Sequence, residues 1–503
     1  MTIRQKLTDA YIFVMLLAFP LFPGFHGYAR ITDAKFFFFS AATLLWLASL
    51  VVFSCFDRGA PALRQALRPP EIAALAFAAV CVLSALLSPF FPATLLGTGR
   101  RDGLVTLLLY VLVFLGARRF GRLRTAHLYA VGAALLLQAA VVLPQLLDKN
   151  PLGLFPGELR WSDAGERYSG AFLGTIGNVD LLADYLSLAI PLLFAAYVVR
   201  ARHWPLLIPA AIGVLLLLCA GTAAGAVSLL LGALIAAPLL ITGRERLKRG
   251  LVAAAAALLP VAVYGAVGFH GGGIVLQADG AGLPFLFAAL LSAAAALLLH
   301  RRRACAVRPR KVYLAGILCA ESLAILAALI ALYHWPGETG TLHELRCVLH
   351  GQVDESFGSS RIRIWRETLA LFPERPILGG GPGTLARRMQ IEFERYVPET
   401  GVTLKSFVDN AHSVYLGFLA DTGAAGLLAY LALILCSAIE VFKNRSDAVV
   451  LVIGAALLCG WIFDLFGLGL CLTAPILWLL WGLAGAKERR DAPAGSLRPA
   501  GSE

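Results

Sequence analysis

The chain has 503 residues, of which 59% are hydrophobic and 15% charged, with a mean hydropathy of +0.77. That balance excludes a soluble enzyme and describes an integral membrane protein. The net charge of +12 follows from where Lys and Arg fall relative to the membrane, so nucleic acid is an unnecessary explanation for it.

Apolar runs of roughly 17–23 residues recur from end to end, each long enough to cross a ~30 Å hydrocarbon core as a helix. In chain order there are fourteen: 8–27, 35–56, 71–91, 103–117, 125–147, 178–199, 204–220, 222–242, 250–269, 283–299, 312–333, 411–442, 447–466 and 468–485. The first is not read as a cleavable signal peptide, because no small-residue cleavage site follows it and more spans come after. With the N-terminus inside, 27 of the 43 Lys and Arg fall in inner segments and 16 in outer ones, leaving none within a span. Inner clusters include Arg58/Arg64/Arg68, Arg118/Arg119/Arg122/Arg124, Arg200/Arg202 and the 301–311 stretch. The positive-inside rule then places both termini in the cytoplasm. The expected fold is all-α, a polytopic transmembrane bundle of about 14 spans with one long exocytoplasmic loop containing short amphipathic helices. Its divisions are spans 1–11 over 1–333, the loop over 334–410, spans 12–14 over 411–486, and a disordered cytoplasmic tail over 487–503. Nine cysteines are scattered, only Cys347 falls in an outer loop, and no spacing resembles a zinc site.

The first polar cluster expected outside is at 148–180, with Arg160, Asp163, Glu166, Arg167, Asn178 and Asp180. Asp180 and Asp184 lie four apart on one face of a helix entering the membrane, where acids are costly and turn toward a cavity or a partner. Gln138, Glu321 and Asp464 are further polar groups within spans, each equally suited to hydrogen-bonding between helices.

The second is the 334–410 island, which holds 10 of the 31 acids and 9 of the 43 Lys and Arg. Ile362, Trp365, Leu369 and Phe372 recur at helical spacing, with Arg363, Arg366 and Glu367 elsewhere around the turn. This predicts an amphipathic helix along the membrane interface, opened by Arg361, with Trp365 at headgroup level. The glycines of Pro376–Thr384 suit either a backbone nest for an anion or, more simply, a turn between helices. Leu385, Met389, Phe393 and Val397, at spacing four, predict a second amphipathic segment used for packing. His412 is expected to begin the next span at the outer interface, after Asp409 and Asn410.

Three strings, in this order, resemble the O-antigen ligase/polymerase superfamily across roughly 100–430. They are RYSGAFLGTIGNVDLLADYL at 167–186, SSRIRIWRETLALFPERPILGGGPGT at 359–384 and AHSVYLGFLADTGAAGLLAYL at 411–431. They are similar to the family's Gly-x-x-x-Asn-Pro-Asn, Arg-x-x-x-Trp with Pro-x-x-Gly-x-Gly, and Ala-His-Asn-x-x-Leu with acid-x-Gly. The sequence departs where the family's Ser-Arg-Gly-Ala becomes Ala223-Ala224-Gly225-Ala226, where Ser413 replaces Asn, and where Val179-Asp180 replaces Pro-Asn. Arg100 and Arg101, in GTGRRDGL, resemble another recurrent Arg-x-x-Gly position and are candidates to supply the charge lost at Ala224.

The resemblance implies a membrane glycosyltransferase moving a glycan from a polyprenyl diphosphate carrier to an acceptor hydroxyl outside the cytoplasmic membrane, without metal or other cofactor. Its implied catalytic residues are His412, for the acceptor, and Arg361, for the diphosphate. Arg100, Arg101, Arg167, Asn178, Asp180 and Arg363 are the implied substrate-binding residues. Partners would be the lipid-linked glycan donor, a glycan, lipid or protein acceptor, and membrane lipids. The alternatives are a polysaccharide polymerase or protein O-oligosaccharyltransferase of the same superfamily, or a bicarbonate-type secondary transporter using Asp180, Asp184, Glu321 and Asp464.

The topology is open to direct measurement. With Cys347 first replaced by serine, Gln352→Cys should react with a membrane-impermeant maleimide in intact cells. Reaction only after the membrane is opened would overturn the orientation.

Overall fold

The computed structural model describes residues 2–56, 66–156, 172–270, 273–277, 280–301, 309–389, 391–397 and 402–486. Arg58, Arg64, most of the 301–311 stretch, Arg160, Asp163, Glu166, Arg167 and the tail from 487 lie outside the described residues.

All fourteen apolar runs are helical over most of their length. They correspond to α1 (Ile3–Phe13), continued through a π turn (Val14–Ala18) into α2 (Phe19–Leu21), then α3 (Ile31–Phe56), α4 (Pro69–Leu86), α5 (Leu104–Phe120) and α6 (Thr125–Leu146). Next come α7 (Val179–Val199), α8 (Leu207–Ala220), α9 (Ala223–Leu240), α10 (Arg244–Ala266), α11 (Leu283–Arg301) and α12 (Arg310–Tyr333). The island supplies α13 (Gly340–Leu349), α14 (Phe357–Ala370) and α15 (Leu385–Arg388), and the chain ends with α16 (Val414–Lys443), α17 (Ala448–Phe463) and α18 (Ala474–Ala484). Among the described residues, ten helices are long and apolar enough to cross a membrane. The other four runs form the interrupted α1–α2 and the shorter α5, α17 and α18.

The described residues are mostly helical, and three small antiparallel hairpins among them qualify the all-α expectation. They are β1–β2 (Phe172–Leu173, Gly177–Asn178), β3–β4 (Val267–His270, Gly273–Leu276) and β5–β6 (Glu392–Val397, Val402–Phe407). The run at 250–269 therefore leaves the helix at Ala266. The second amphipathic segment of the island is helical only over Leu385–Arg388, and Phe393 and Val397 lie on β5. A spacing of four is even, so it places side chains on one face of a strand as readily as on one face of a helix.

α7 is the most enclosed span, whereas α10 and α11 bury little and α12 buries none of its side chains, so these three present apolar surface outward. At the interface of α4, α5, α16 and α18, Phe77, Tyr110, Phe418, Tyr430, Trp478 and Trp481 form a continuous cluster of stacked and edge-on rings.

Two buried cations hold this frame. Lys35 is inside α3, contrary to the count that left no basic residue within a span. It donates to the carbonyls of Phe19 at 2.6 Å and Pro20 at 2.9 Å, at the end of α2, where Gln138 and Thr175 also donate to Pro20 O. At the opposite end of the bundle from the island, Arg118 on α5 bonds Glu440 on α16 at 2.7 Å and lies 3.8 Å from Glu71 on α4. Arg119 completes Glu71 at 2.8 Å, and Arg68 reaches Glu440 at 3.5 Å. Glu71 is fully buried and Arg118 almost so. Removing one member strands the others in low dielectric. Arg118→Ala should therefore cost ~3–5 kcal/mol, seen as a large fall in midpoint temperature of the detergent-solubilised protein. A shift no larger than that of an exposed control such as Arg366→Ala would show that the network carries no stability.

Candidate active site

The site begins with a break in α16. Gly423 adopts φ 66°, ψ −170° within the helix, a conformation that only glycine enters freely, and so frees backbone groups on both sides. The glycine loop 376–384 takes them up. Ala424 and Ala425 N–H donate to the carbonyls of Pro376 at 2.9 Å and Ile377 at 3.1 Å. In return the carbonyls of Ala420 and Asp421 accept from Gly380 N–H at 3.0 Å and Gly381 N–H at 2.8 Å. The Asp421 carboxylate accepts from Gly383 N–H at 2.8 Å, and Ser84 Oγ donates to the carbonyls of Leu378 and Asp421 at 2.6 and 2.9 Å.

Residues 379–385 are all buried. Gly379, Gly381 and Gly383 have positive φ, and a Cβ on Gly383 would lie 2.7 Å from both Gly97 Cα and Asp102 Oδ1. The N–H groups of Gly380, Gly381 and Gly383 are thus occupied by α16 and that of Gly379 by the carbonyl of Arg375, which makes the loop a structural turn rather than an anion nest. On its other side, Thr98 N–H and Oγ1 donate to Gly383 O at 3.0 and 2.8 Å. The turn carrying Arg100 and Arg101 is thereby fixed relative to α16.

The helix α14 is aimed by a left-handed turn. Gly358, Ser359 and Ser360 all have φ near +60°, an arrangement strained for the serines, and right-handed helix resumes at Arg361. Ile364 and Thr368 form the buried face of α14, and the expected apolar face is half-buried at Ile362, Trp365 and Phe372 and exposed at Leu369. Trp365 packs against Phe466 with ring centroids 6.1 Å apart. Ile364 joins Leu385, Met389, Ile391, Val408, Ala411 and Ala420 in a small core beneath the loop, separate from the main one.

Arg361 donates to Gly358 O at 2.8 Å and Phe466 O at 3.2 Å, and its Nη2 lies 3.5 Å from Asp180 Oδ1. Asp180 is held in the first turn of α7 by its N-cap, Asn178, whose side chain accepts from Asp180 N–H at 2.8 Å. Arg100 pairs with Asp409 at 2.6 Å and Arg101 with Asp33 at 2.7 Å. The Arg101 guanidinium also lies over Phe36 and Phe37, 5.7 and 5.9 Å from the ring centres. Beside Arg100, burial pushes the Asp102 carboxyl up to about 6, opposed by Arg100 and reinforced by Asp409.

His412 does not begin the span. Ser413 is the N-cap of α16, and His412 precedes it in a left-handed conformation (φ 49°), its N–H donating to Asn410 Oδ1 at 3.0 Å. Burial lowers its imidazole pKa to about 4, helped by the positive charges of Arg361 and Arg100 and opposed by Asp180 and Asp409. The ring is therefore neutral at physiological pH and free to accept a proton or a hydrogen bond.

The structure thus brings together Arg361, Asp180, Arg100 and His412 from four separate segments, with Asn178 capping the helix that carries Asp180 and Arg101 turned to Asp33 beside Arg100. It does not bring in Arg363. Two residues along a helix point to different sides, and the Arg363 guanidinium lies 5.3 Å from the centre of the Phe393 ring. Arg167 is outside the described residues. Asp33 and Asp409, each paired with an arginine here, were not among the candidates; their signal was an acid at the outer end of an apolar run. Of the transport candidates, Asp184 accepts from Thr473 and Asp464 from Tyr430, whereas Glu321 lies on α12, which has no buried residue. Ala223–Ala226 opens α9, where Gly225 packs against Ala183 of α7.

A family model described as O-antigen ligase matches residues 272–431, a segment containing Arg361, the glycine loop and His412 but not Arg100, Arg101 or Asp180. No curated protein matches the chain closely enough to add a relative. The match supports membership of the chain in the O-antigen ligase superfamily. With ten apolar helices, it indicates a multi-pass membrane protein and supports a membrane glycosyltransferase of the ligase/polymerase type. The family implies lipid-linked glycan donors and glycan or lipid acceptors.

The Asp421 carboxylate, part of the acid-x-Gly string, has a structural role in this geometry. Asp421→Ala leaves the buried Gly383 N–H without an acceptor and should cost ~1–3 kcal/mol. Asp421→Asn keeps a carbonyl oxygen and should cost less, in thermal unfolding of the purified protein. Equal stability of the alanine variant and the unmutated protein would contradict this role.

Proposed function

We propose that this chain transfers a glycan from a polyprenyl diphosphate carrier to an acceptor hydroxyl at the outer face of the cytoplasmic membrane. The observation that carries the reading is the convergence of a neutral His412 with Arg361 and Arg100 beside the membrane-entering start of α7.

The chemistry is a displacement at the anomeric carbon. The acceptor oxygen forms a bond to that carbon as the bond to the carrier diphosphate breaks, the electron pair leaves with the diphosphate, and the acceptor proton passes to a base. Arg361 meets the diphosphate charge with its planar fork of donors. Its carboxylate contact, at 3.5 Å, is the longest of the three Arg–Asp pairs of this cluster, so it is the ion pair that an incoming anion displaces most readily. Arg100 is the candidate to supply the charge missing at Ala224, and Arg101 lies on the same turn. His412 takes the acceptor proton or orients the hydroxyl. Direct displacement inverts the anomeric configuration. The arginines neutralise the leaving group, so the reaction is read as metal-independent, and a chelator should leave turnover unchanged. A ligase and a polymerase differ in the acceptor, and both use this site.

His412→Ala should abolish transfer and let lipid-linked donor accumulate at normal protein level, a loss of ~10²–10⁴-fold. Since Gln hydrogen-bonds but takes no proton, activity retained in His412→Gln would eliminate the base role and leave orientation. Arg361→Lys should fall sharply while Arg366→Lys stays mild; equal, small effects would mark both as solvated surface.

The pH profile gives an independent check. A base whose pKa is lowered stays unprotonated until the pH falls through its folded value. Transfer should therefore hold steady from pH 7 to about 5 and be lost toward about 4. Half-loss near the ordinary histidine value of ~6.5 would contradict the burial of the ring.

A further inference from the structure

A cavity of about 430 Å³ opens at the end of the bundle opposite the island. Its walls come from the α5–α6 turn with the first turn of α6, from the end of α7 with the 3-10 turn Ala201–Leu206, and from the first turn of α17. Four arginines line it, Arg122, Arg124, Arg200 and Arg202, together with His203, and among the described residues no carboxylate does. Asp9 is taken by Arg124 at 2.5 Å, and Asp447 is engaged in capping Val449 and Val450 of α17. Arg202 has a long contact of 3.5 Å to Thr125. His203 is 4% exposed, and its Nδ1 has no hydrogen-bond partner among the described residues. The first turn of α6 adds the positive end of a helix dipole, whereas that of α17 is met by Asp447.

A half-open space in which Arg122, Arg200 and Arg202 outnumber the nearby acids, with an unmatched buried ring nitrogen, suits a phosphate oxyanion. We propose that the cavity binds a phosphate group, carried either by an anionic phospholipid headgroup or by a soluble phosphate compound. Basic pockets between spans on the cytoplasmic side are suited to such headgroups, and the volume falls within the ~300–1,000 Å³ range of small-ligand sites. The site is separate from the proposed glycan-transfer site and does not rest on that reading.

The test uses the delipidated full chain in detergent, probed with cardiolipin, phosphatidylglycerol, phosphatidylcholine and inorganic phosphate, by native mass spectrometry and thermal unfolding. The variants are Arg200→Gln with Arg202→Gln, Ala448→Trp to fill the cavity without changing charge, and Lys443→Gln with Arg445→Gln as a same-end charge control. Binding of an anionic probe should fall about tenfold or more in the first two and stay within about twofold in the control. Saturable binding of cardiolipin or phosphatidylglycerol over phosphatidylcholine identifies a headgroup. Saturable stabilisation by inorganic phosphate without lipid preference identifies a soluble phosphate compound. Equal losses in the cavity variants and the control, unaltered binding in Ala448→Trp, or no binding of any anionic probe to the unmutated protein would overturn the proposal. If the arginine pair impairs folding, Ala448→Trp decides alone.

Discussion

The break in α16 at Gly423 is the constraint on which the candidate site depends. A helix in a lipid environment tolerates lost backbone hydrogen bonds only where protein restores them. Here the loop 376–384 restores them, donating and accepting across the break. The exchange fastens the island to a span and, through Ser84 and Thr98, to the end of α4 and the α4–α5 turn. Arg100, Arg361 and His412, distant in sequence, are brought near one another by this docking.

The resulting site is electrostatically compensated when no substrate is bound, since Arg361, Arg100 and Arg101 each face an aspartate. Such pairing holds guanidinium forks in place at low cost and leaves an anion to compete for the loosest of them. The strained φ values at Ser359, Ser360, Arg101 and His412 all fall on segments that aim these side chains, which is where backbone strain tends to be retained. The frame beneath is held by different means. Aromatic packing joins α4, α5, α16 and α18, Lys35 closes the end of α2, and a buried Arg–Glu network ties the far end.

Run length and hydropathy made the helices legible, because crossing a ~30 Å core demands long apolar stretches. The hairpin β5–β6 was missed because Leu385, Met389, Phe393 and Val397 satisfy both periods. Lys35 was missed because a buried cation that caps a helix end looks, in sequence, like a residue outside the span. His412 and Arg361 were legible through their neighbours in the motif strings, but their company was not. Arg361 meets Asp180, and Arg100 meets Asp409, across separations that no local pattern reports. The left-handed backbone at His412 was equally hidden, since nothing in its residue type demands it. The glycine loop was readable as a turn, and its partner was not.

The central claim is that this cluster displaces a lipid diphosphate. The most direct measurement is transfer by the purified chain in proteoliposomes, given polyprenyl diphosphate-linked glycan and an acceptor glycolipid, with free carrier diphosphate and the new anomeric linkage both followed. The account predicts that the carrier is released one for one with an inverted linkage. Release or transfer with retained configuration, or donor left intact by a correctly folded protein across lipid, glycan and protein acceptors, would contradict it.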